Sequence, residues 1–164
     1  MYTFGAPKLG KNWPGAGVGS ILSATHNKRL TTVRLRSVQS FLLVFLGAGC
    51  GGALRHGVNM LTGRLLGVSF PYGTLTVNIL GSFLLGLLVA WLALKGQASQ
   101  GVRLFLTTGL LGGFTTFSAF ALDYTLIWQR GDSLLAAVYL LASVGISILM
   151  VMVAYWLVRS VVGL

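Results

Sequence analysis

Four stretches of this 164-residue chain contain no Asp, Glu, Lys, Arg or His: 37–54, 65–94, 104–122 and 133–158. A helix crossing the hydrocarbon of a bilayer needs about 20 predominantly apolar residues. Four membrane spans are therefore expected, over 38–60, 70–94, 102–128 and 133–162. Open strands cannot cross lipid, because their edge groups would be left unpaired, and the runs are longer than barrel strands require. The expected fold class is an all-α membrane protein with short loops holding Arg64, Lys95, Arg103, Arg130 and Asp132. Composition closes off the soluble alternative. Hydrophobic residues are 55% of the chain and charged residues 9%, against about a quarter charged in soluble domains.

The charge is unevenly placed. The net charge is +10, and six of the twelve basic residues (Lys8, Lys11, Lys28, Arg29, Arg34, Arg36) precede the first uncharged run. Residues 1–37 also carry Pro7 and Pro14 with much Gly, Ser and Thr, and read as a basic, disordered extension ahead of a membrane domain over 38–164. The apolar run that follows continues into a full span, which argues against a cleaved signal peptide. No recognition motif accompanies the charge, so attraction to anionic headgroups or control of topology is expected rather than nucleic-acid binding. The single cysteine, Cys50, can form neither an internal disulfide nor a thiolate metal cluster.

With four spans, the N-terminus, the second loop and the C-terminus share one side of the membrane. Outside the extension that side carries Lys95, Arg103 and Arg159, and the other carries Arg64, Arg130 and, near the end of span one, Arg55. The core thus has almost no positive-inside bias, whereas the extension favours a cytoplasmic N-terminus.

Polar residues inside spans are costly, and they are the natural place to look for function. Gly47 and Gly51 in span one have the spacing that admits a second helix. Arg55 has two readings, a snorkelling side chain or a functional cation. In span two, Thr74, Asn78 and Ser82 recur every four residues and share a face. The Asn78 amide has the chemistry either to tie two helices or to donate to an anion. Span three holds Gly109, Gly112, Gly113, Thr115, Thr116 and Ser118 at mid-span, which reads as a helix break at membrane depth. Carbonyls released there suit a hard monovalent cation such as Na⁺. Phe114, Phe117 and Phe120 recur every three residues, either as packing or as electropositive ring edges facing an anion. Tyr139, Ser143 and Ser147 form a hydroxyl stripe in span four, bonded back to their own helix or lining a wet track. Asp123 and Asp132 are the only carboxylates, and no nucleophile–base pair or metal-spaced His/Cys cluster is visible, so no enzymatic activity is expected.

These motifs resemble a known family. Gly51-Gly52-Ala53-Leu54-Arg55, the run from Gly73 to Gly86 containing Thr74 and Asn78, and Gly112-Gly113-Phe114-Thr115-Thr116-Phe117-Ser118-Ala119-Phe120 look like those of the Fluc/CrcB fluoride channels, over about residues 40–160. The resemblance implies antiparallel, dual-topology homodimers of four-helix subunits in the cell inner (plasma) membrane. They would export fluoride passively through two pores built from both subunits. It places Asn78, Phe117, Phe120, Thr74, Ser118, Tyr139, Ser143 and Ser147 along the pore, and Arg55 at the vestibule. It implies a structural Na⁺ at the dimer interface, held by the backbone carbonyls of Gly112 and Thr115. His56, Ala119 and Asp123 depart from the family pattern, which favours Tyr, a hydroxyl residue and Glu. The basic extension would oppose dual insertion, in which case the partner would be a paralogous subunit of opposite orientation. The competing readings are a small four-helix multidrug-type transporter, which would need a carboxylate that span one lacks, and a non-transporting assembly subunit.

Overall fold

The computed structural model describes residues 16–95 and 98–162, with side chains described from Ser37 onward except at Lys95. The described residues are helical apart from short connections and one interruption. The chain divides into two units, Met1–Gln39 and Ser40–Leu164. Helix α1 is assigned over Ala16–Leu66. Residues 16–36, expected to be irregular, are therefore helical: no proline follows Pro14 in this stretch, and Leu, Ala, Lys and Arg are good helix formers. Residues 1–15 of the expected extension lie outside the described residues.

Four segments are long and apolar enough to cross a membrane: Ser37–Leu66, Tyr72–Leu94, Gln100–Gln129 and Ser133–Val162. Span one runs several residues past its expected end, because Arg64, expected in a loop, is accommodated on the helix. Span two is α2, Tyr72–Lys95. Span three comprises α3 (Gln100–Arg103), a π-helical stretch (Leu104–Leu111), α4 (Gly112–Phe114) and α5 (Phe117–Gln129). Span four comprises α6 (Ser133–Leu141), a second π-helical stretch (Ala142–Ile146) and α7 (Ser147–Val162).

The span ends follow from local chemistry. Gly67 and Gly131 adopt φ of 82° and 84°, the left-handed conformation that closes helices, just after spans one and three. Pro71 sits immediately before α2, where its missing N–H costs nothing, and its carbonyl accepts from Leu75 N–H at 3.1 Å. Ser99 caps α3 by accepting from Val102 N–H, and Asp132 places negative charge at the start of α6.

The spans pack in pairs. Span two lies mainly against span four, where a Cβ on Gly86 would fall 2.8 Å from Cβ of Ala154. Span one meets span three through two facing glycine pairs. A Cβ on Gly47 would lie 2.9 Å from Cα of Gly109, and one on Gly113 would lie 2.6 Å from the Ala48 carbonyl oxygen. The Gly47/Gly51 spacing thus finds its complement in Gly109/Gly113, and the two backbones touch as small-residue helix pairs do in lipid. Large apolar side chains cover the outside, among them Phe41, Phe45, Leu134 and Leu141, as expected of a surface facing hydrocarbon.

This contact is testable. Gly113→Val is expected to destabilise the protein by about 2 kcal/mol or more, because the clash is with backbone that cannot move aside. Gly49→Ala, on the open side of span one with nothing among the described residues within 4 Å of the added carbon, is expected to be neutral or slightly stabilising. Thermal unfolding of both variants in detergent checks the pair.

Candidate ion-conduction site

The helix of span three stops at Thr115 and Thr116, which are extended with φ/ψ of −78°/158° and −153°/117°. Within the stretch expected to break, the glycines remain helical and the two threonines open; Gly109 and Gly113 serve close packing against span one. The β-branched threonines carry the extended backbone, a conformation they tolerate well.

Asn78 makes the interruption possible. Its Oδ1 accepts the Thr116 N–H at 2.8 Å, and its Nδ2 donates to the Thr116 carbonyl at 3.0 Å. The side-chain amide thereby completes both backbone groups of one residue. Of its two readings, the tie between helices is what the hydrogen bonds show, and one Nδ2 hydrogen remains beyond the bond to Thr116. Thr116 also caps α5, accepting from Ala119 N–H at 3.2 Å, and its hydroxyl lies 3.3 Å from that of Ser118. From sequence Thr116 is read as part of the break but not placed among the pore or cation-site residues. Its place two residues before the helical Ser118-Ala119-Phe120 run is the N-cap signal that reveals it.

These bonds release particular carbonyls. In a continuing helix, Thr116 N–H would close on the Gly112 carbonyl and Ala119 N–H on that of Thr115. Both donors are used elsewhere. The released Thr115 carbonyl accepts from Arg55 Nη1 at 3.3 Å. Arg55 is thus turned inward onto the break. Gly112 and Thr115 offer hard backbone oxygens at the carbonyl end of a half-helix, and that donor set fits a Na⁺ ion.

A cleft of about 290 Å³ opens beside the break, lined by Asn78, Thr115, Thr116, Phe117, Phe120, Ser143, Val144, Ser147 and Ile148. Phe120 is 4% exposed and Phe117 is 76% exposed, with ring centroids 5.4 Å apart. Ser143 Oγ and Ser147 Oγ are both buried with no hydrogen-bond partner of good geometry among the described residues. Other span hydroxyls behave differently: Thr62, Thr107, Thr115, Thr125 and Ser160 each bond back to the carbonyl four residues earlier. Ser143 lies within the π-helical stretch Ala142–Ile146, and such bulges are frequent at functional sites.

The remaining predicted residues sit apart from this cleft. Thr74 lines a second cavity of about 240 Å³ with Asn59, Thr62, Asp123 and Arg130. Tyr139 is fully buried and donates to Asp123 Oδ2 at 3.2 Å. Its ring lies 5.4 Å from Phe120 and 5.5 Å, edge-on, from Phe70. Ser118 is exposed on the first turn of α5 and is not among the cleft-lining residues. Asp123, as the partner of Tyr139, is a contact that no spacing in the sequence discloses.

Four apolar spans, a broken helix and a cleft of neutral donors and aromatic rings define an integral membrane transport protein. The chain belongs to the CrcB family: the model described as "CrcB-like protein, Camphor Resistance (CrcB)" matches residues 42–155. Similar proteins include the fluoride-specific ion channel FluC of Rhodopseudomonas palustris, 49% identical over 122 residues, 74% of this chain and 98% of the relative. That of Granulibacter bethesdensis is 51% identical over 125 residues, 76% and 98% of the two chains. That of Methylobacterium nodulans is 57% identical over 107 residues, 65% and 86% of the two chains.

The Asn78 bridge has its own test. Asn78→Asp keeps an acceptor for Thr116 N–H but sets a carboxylate against the Thr116 carbonyl in place of a donor. It is expected to cost about 2 kcal/mol, measured as a lowered midpoint of thermal unfolding.

Proposed function

We propose that this chain is a passive fluoride channel of the cell inner membrane, exporting F⁻ and thereby lowering its intracellular concentration. The observation that carries the reading is the pair of orphaned hydroxyls, Ser143 and Ser147, in the same cleft as Asn78, Phe117 and Phe120. Burying a hydroxyl without a partner is unfavourable, and a small anion passing through the cleft supplies the missing acceptor. The names of the relatives supply the ion.

The chemistry of the cleft suits conduction. Hydroxyl and amide donors replace part of the hydration of F⁻ but carry no full charge, so the ion is held weakly enough to leave. The electropositive edges of Phe117 and Phe120 add attraction of the same modest kind. Thr74, Ser118 and Tyr139 are proposed to extend the path, with Tyr139 and Asp123 standing between the cleft and the second cavity. Arg55 contributes positive potential near the break.

The exposure of Phe117 and the open side of the cleft support a second subunit as the opposing wall. We propose an antiparallel homodimer with two pores, or a pairing with a paralogous subunit of opposite orientation. The near-balanced charge of the core supports the first form and the basic extension the second. The carbonyls of Gly112 and Thr115 would hold a structural Na⁺ where the subunits meet. Such an ion supplies positive charge to the carbonyl end of the half-helix.

The test is fluoride efflux from proteoliposomes, followed with a fluoride electrode, with valinomycin to carry counter-charge and a chloride control. Rapid, fluoride-selective, valinomycin-dependent efflux is expected, and no efflux from folded protein counts against the reading. Phe117→Ile and Phe120→Ile are each expected to cut flux about tenfold or more, equivalent to about 1.4 kcal/mol. Ser143→Ala separates the two demands on the cleft. It is expected to raise stability by about 1 kcal/mol, since an unpaired buried hydroxyl is removed, while lowering fluoride flux. A variant both less stable and fully conducting would contradict the role given to that hydroxyl.

A further inference from the structure

We propose that Arg55 is a tethered cation for the broken helix, holding the Thr115 carbonyl in competition with Na⁺ at the same oxygen. The inference rests on the cation site proposed above and assigns Arg55 a role distinct from drawing anions into a vestibule.

Three observations support it. The first is the hydrogen bond. Arg55 Nη1 lies 3.3 Å from the carbonyl oxygen of Thr115, a residue 60 positions away in the chain. A snorkelling arginine would turn its guanidinium toward the headgroups; this one turns toward the interior break. The second is what Thr115 lacks. The donor that would close on its carbonyl in an unbroken helix, Ala119 N–H, is bonded to Thr116 Oγ1. The carbonyl is therefore open to an external donor at the negative end of the half-helix running from Gln100 to Phe114, where a cation is favoured. The third is the mounting. Gly51 holds span one against span three, a Cβ there falling 2.8 Å from Phe114 N. Arg55 follows Gly51 by four residues, one turn along the same face. The close approach of the backbones thus aims the guanidinium at the break.

The guanidinium is a full positive charge. A Na⁺ coordinated by the Thr115 oxygen would lie within a few ångströms of it, and like charges at that distance repel strongly in a low-dielectric interior. The two cations therefore compete. Without Na⁺, Arg55 keeps the break satisfied; with Na⁺ bound, the guanidinium is displaced or shares the oxygen at reduced affinity.

The experiment is a Na⁺ titration of thermal unfolding on the full chain purified in detergent, with N-methyl-D-glucamine replacing Na⁺ at constant ionic strength. Wild type is compared with Arg55→Gln and Arg55→Lys. Arg55→Gln is expected to unfold at a lower temperature than wild type in the absence of Na⁺. Its half-saturating Na⁺ concentration is expected to be about tenfold lower, the loss of one charged hydrogen-bond competitor. Arg55→Lys, which keeps the charge but not the fork, is expected to fall between them and serves where the glutamine variant fails to fold. A half-saturating concentration unchanged in both variants overturns the proposal and leaves Arg55 a packing or anion-attracting residue. Absence of any Na⁺ response in all three proteins overturns it together with the cation site. Fluoride efflux from the same preparations reports separately on the channel reading.

Discussion

A broken helix inside a membrane is permissible only if something other than water completes the backbone groups it releases. Here that something is the side-chain amide of Asn78, which bonds both the N–H and the carbonyl of Thr116. An amide side chain suits the task because it reproduces the donor–acceptor pair of a peptide group on a single rigid plane. Once Thr116 is held, the rest of the centre follows. Its hydroxyl is free to cap α5, its N–H no longer closes on Gly112, and the Phe117–Phe120 turn starts at a fixed position beside span four. An apolar residue at position 78 would leave two backbone groups unpaired in hydrocarbon, a larger loss than that of one side-chain contact.

The two helix pairs divide the remaining work. Spans one and three touch backbone to backbone through glycine, which brings Arg55 to the break without any large side chain between. Spans two and four pack closely at Gly86 and Ala154. At Asn78, Ser143 and Ser147, however, they leave a cleft in place of a filled interface. The cleft therefore retains two buried unpaired hydroxyls, while Thr62, Thr107, Thr115, Thr125 and Ser160 bond back to their own helices. Packing optimised for stability alone would fill the space and pair the serines. That both features persist side by side supports the proposed reading of the cleft as a path that accepts an ion and releases it.

Much of this was legible from the chain alone, because uncharged length and mid-span polarity are strong signals. All four spans and the break in the third follow from runs and spacings, whereas the grouping of Asn78, Phe117, Phe120, Ser143 and Ser147 is what the family resemblance implied. What escaped has specific causes. The end of span one was set too early because Arg64 was assigned to a loop, although the helix carries it and continues to Leu66. The break was read over the whole stretch of glycines, threonines and Ser118, and the structure narrows it to the two threonines, while tertiary contact with Ala48 keeps Gly113 helical. Helical spacing put Thr74 and Asn78 on one stripe, but a stripe spans more than one cavity: Thr74 lines one and Asn78 the other. The partners of Asn78 and Tyr139 depend on how separate spans dock, and no periodicity within one span encodes that.

The asymmetry between the two phenylalanines bears on assembly. Phe120 is fixed on the inner side of the cleft by Tyr139, whereas Phe117, one turn away, presents its ring outward. If lipid alone faced Phe117, acyl chains would have access to a cleft carrying two unpaired hydroxyls, and neither surface would be satisfied. A second protein wall resolves this, because it excludes lipid while leaving room for an ion and its residual water. The same wall would bring a second break toward the first, so that carbonyls from two half-helices converge and their combined negative ends demand positive charge. A single subunit already carries one such charge in Arg55. The proposed pairing and the proposed competition at Thr115 are therefore two consequences of one feature, a half-helix whose carbonyl end stops at the middle of the membrane.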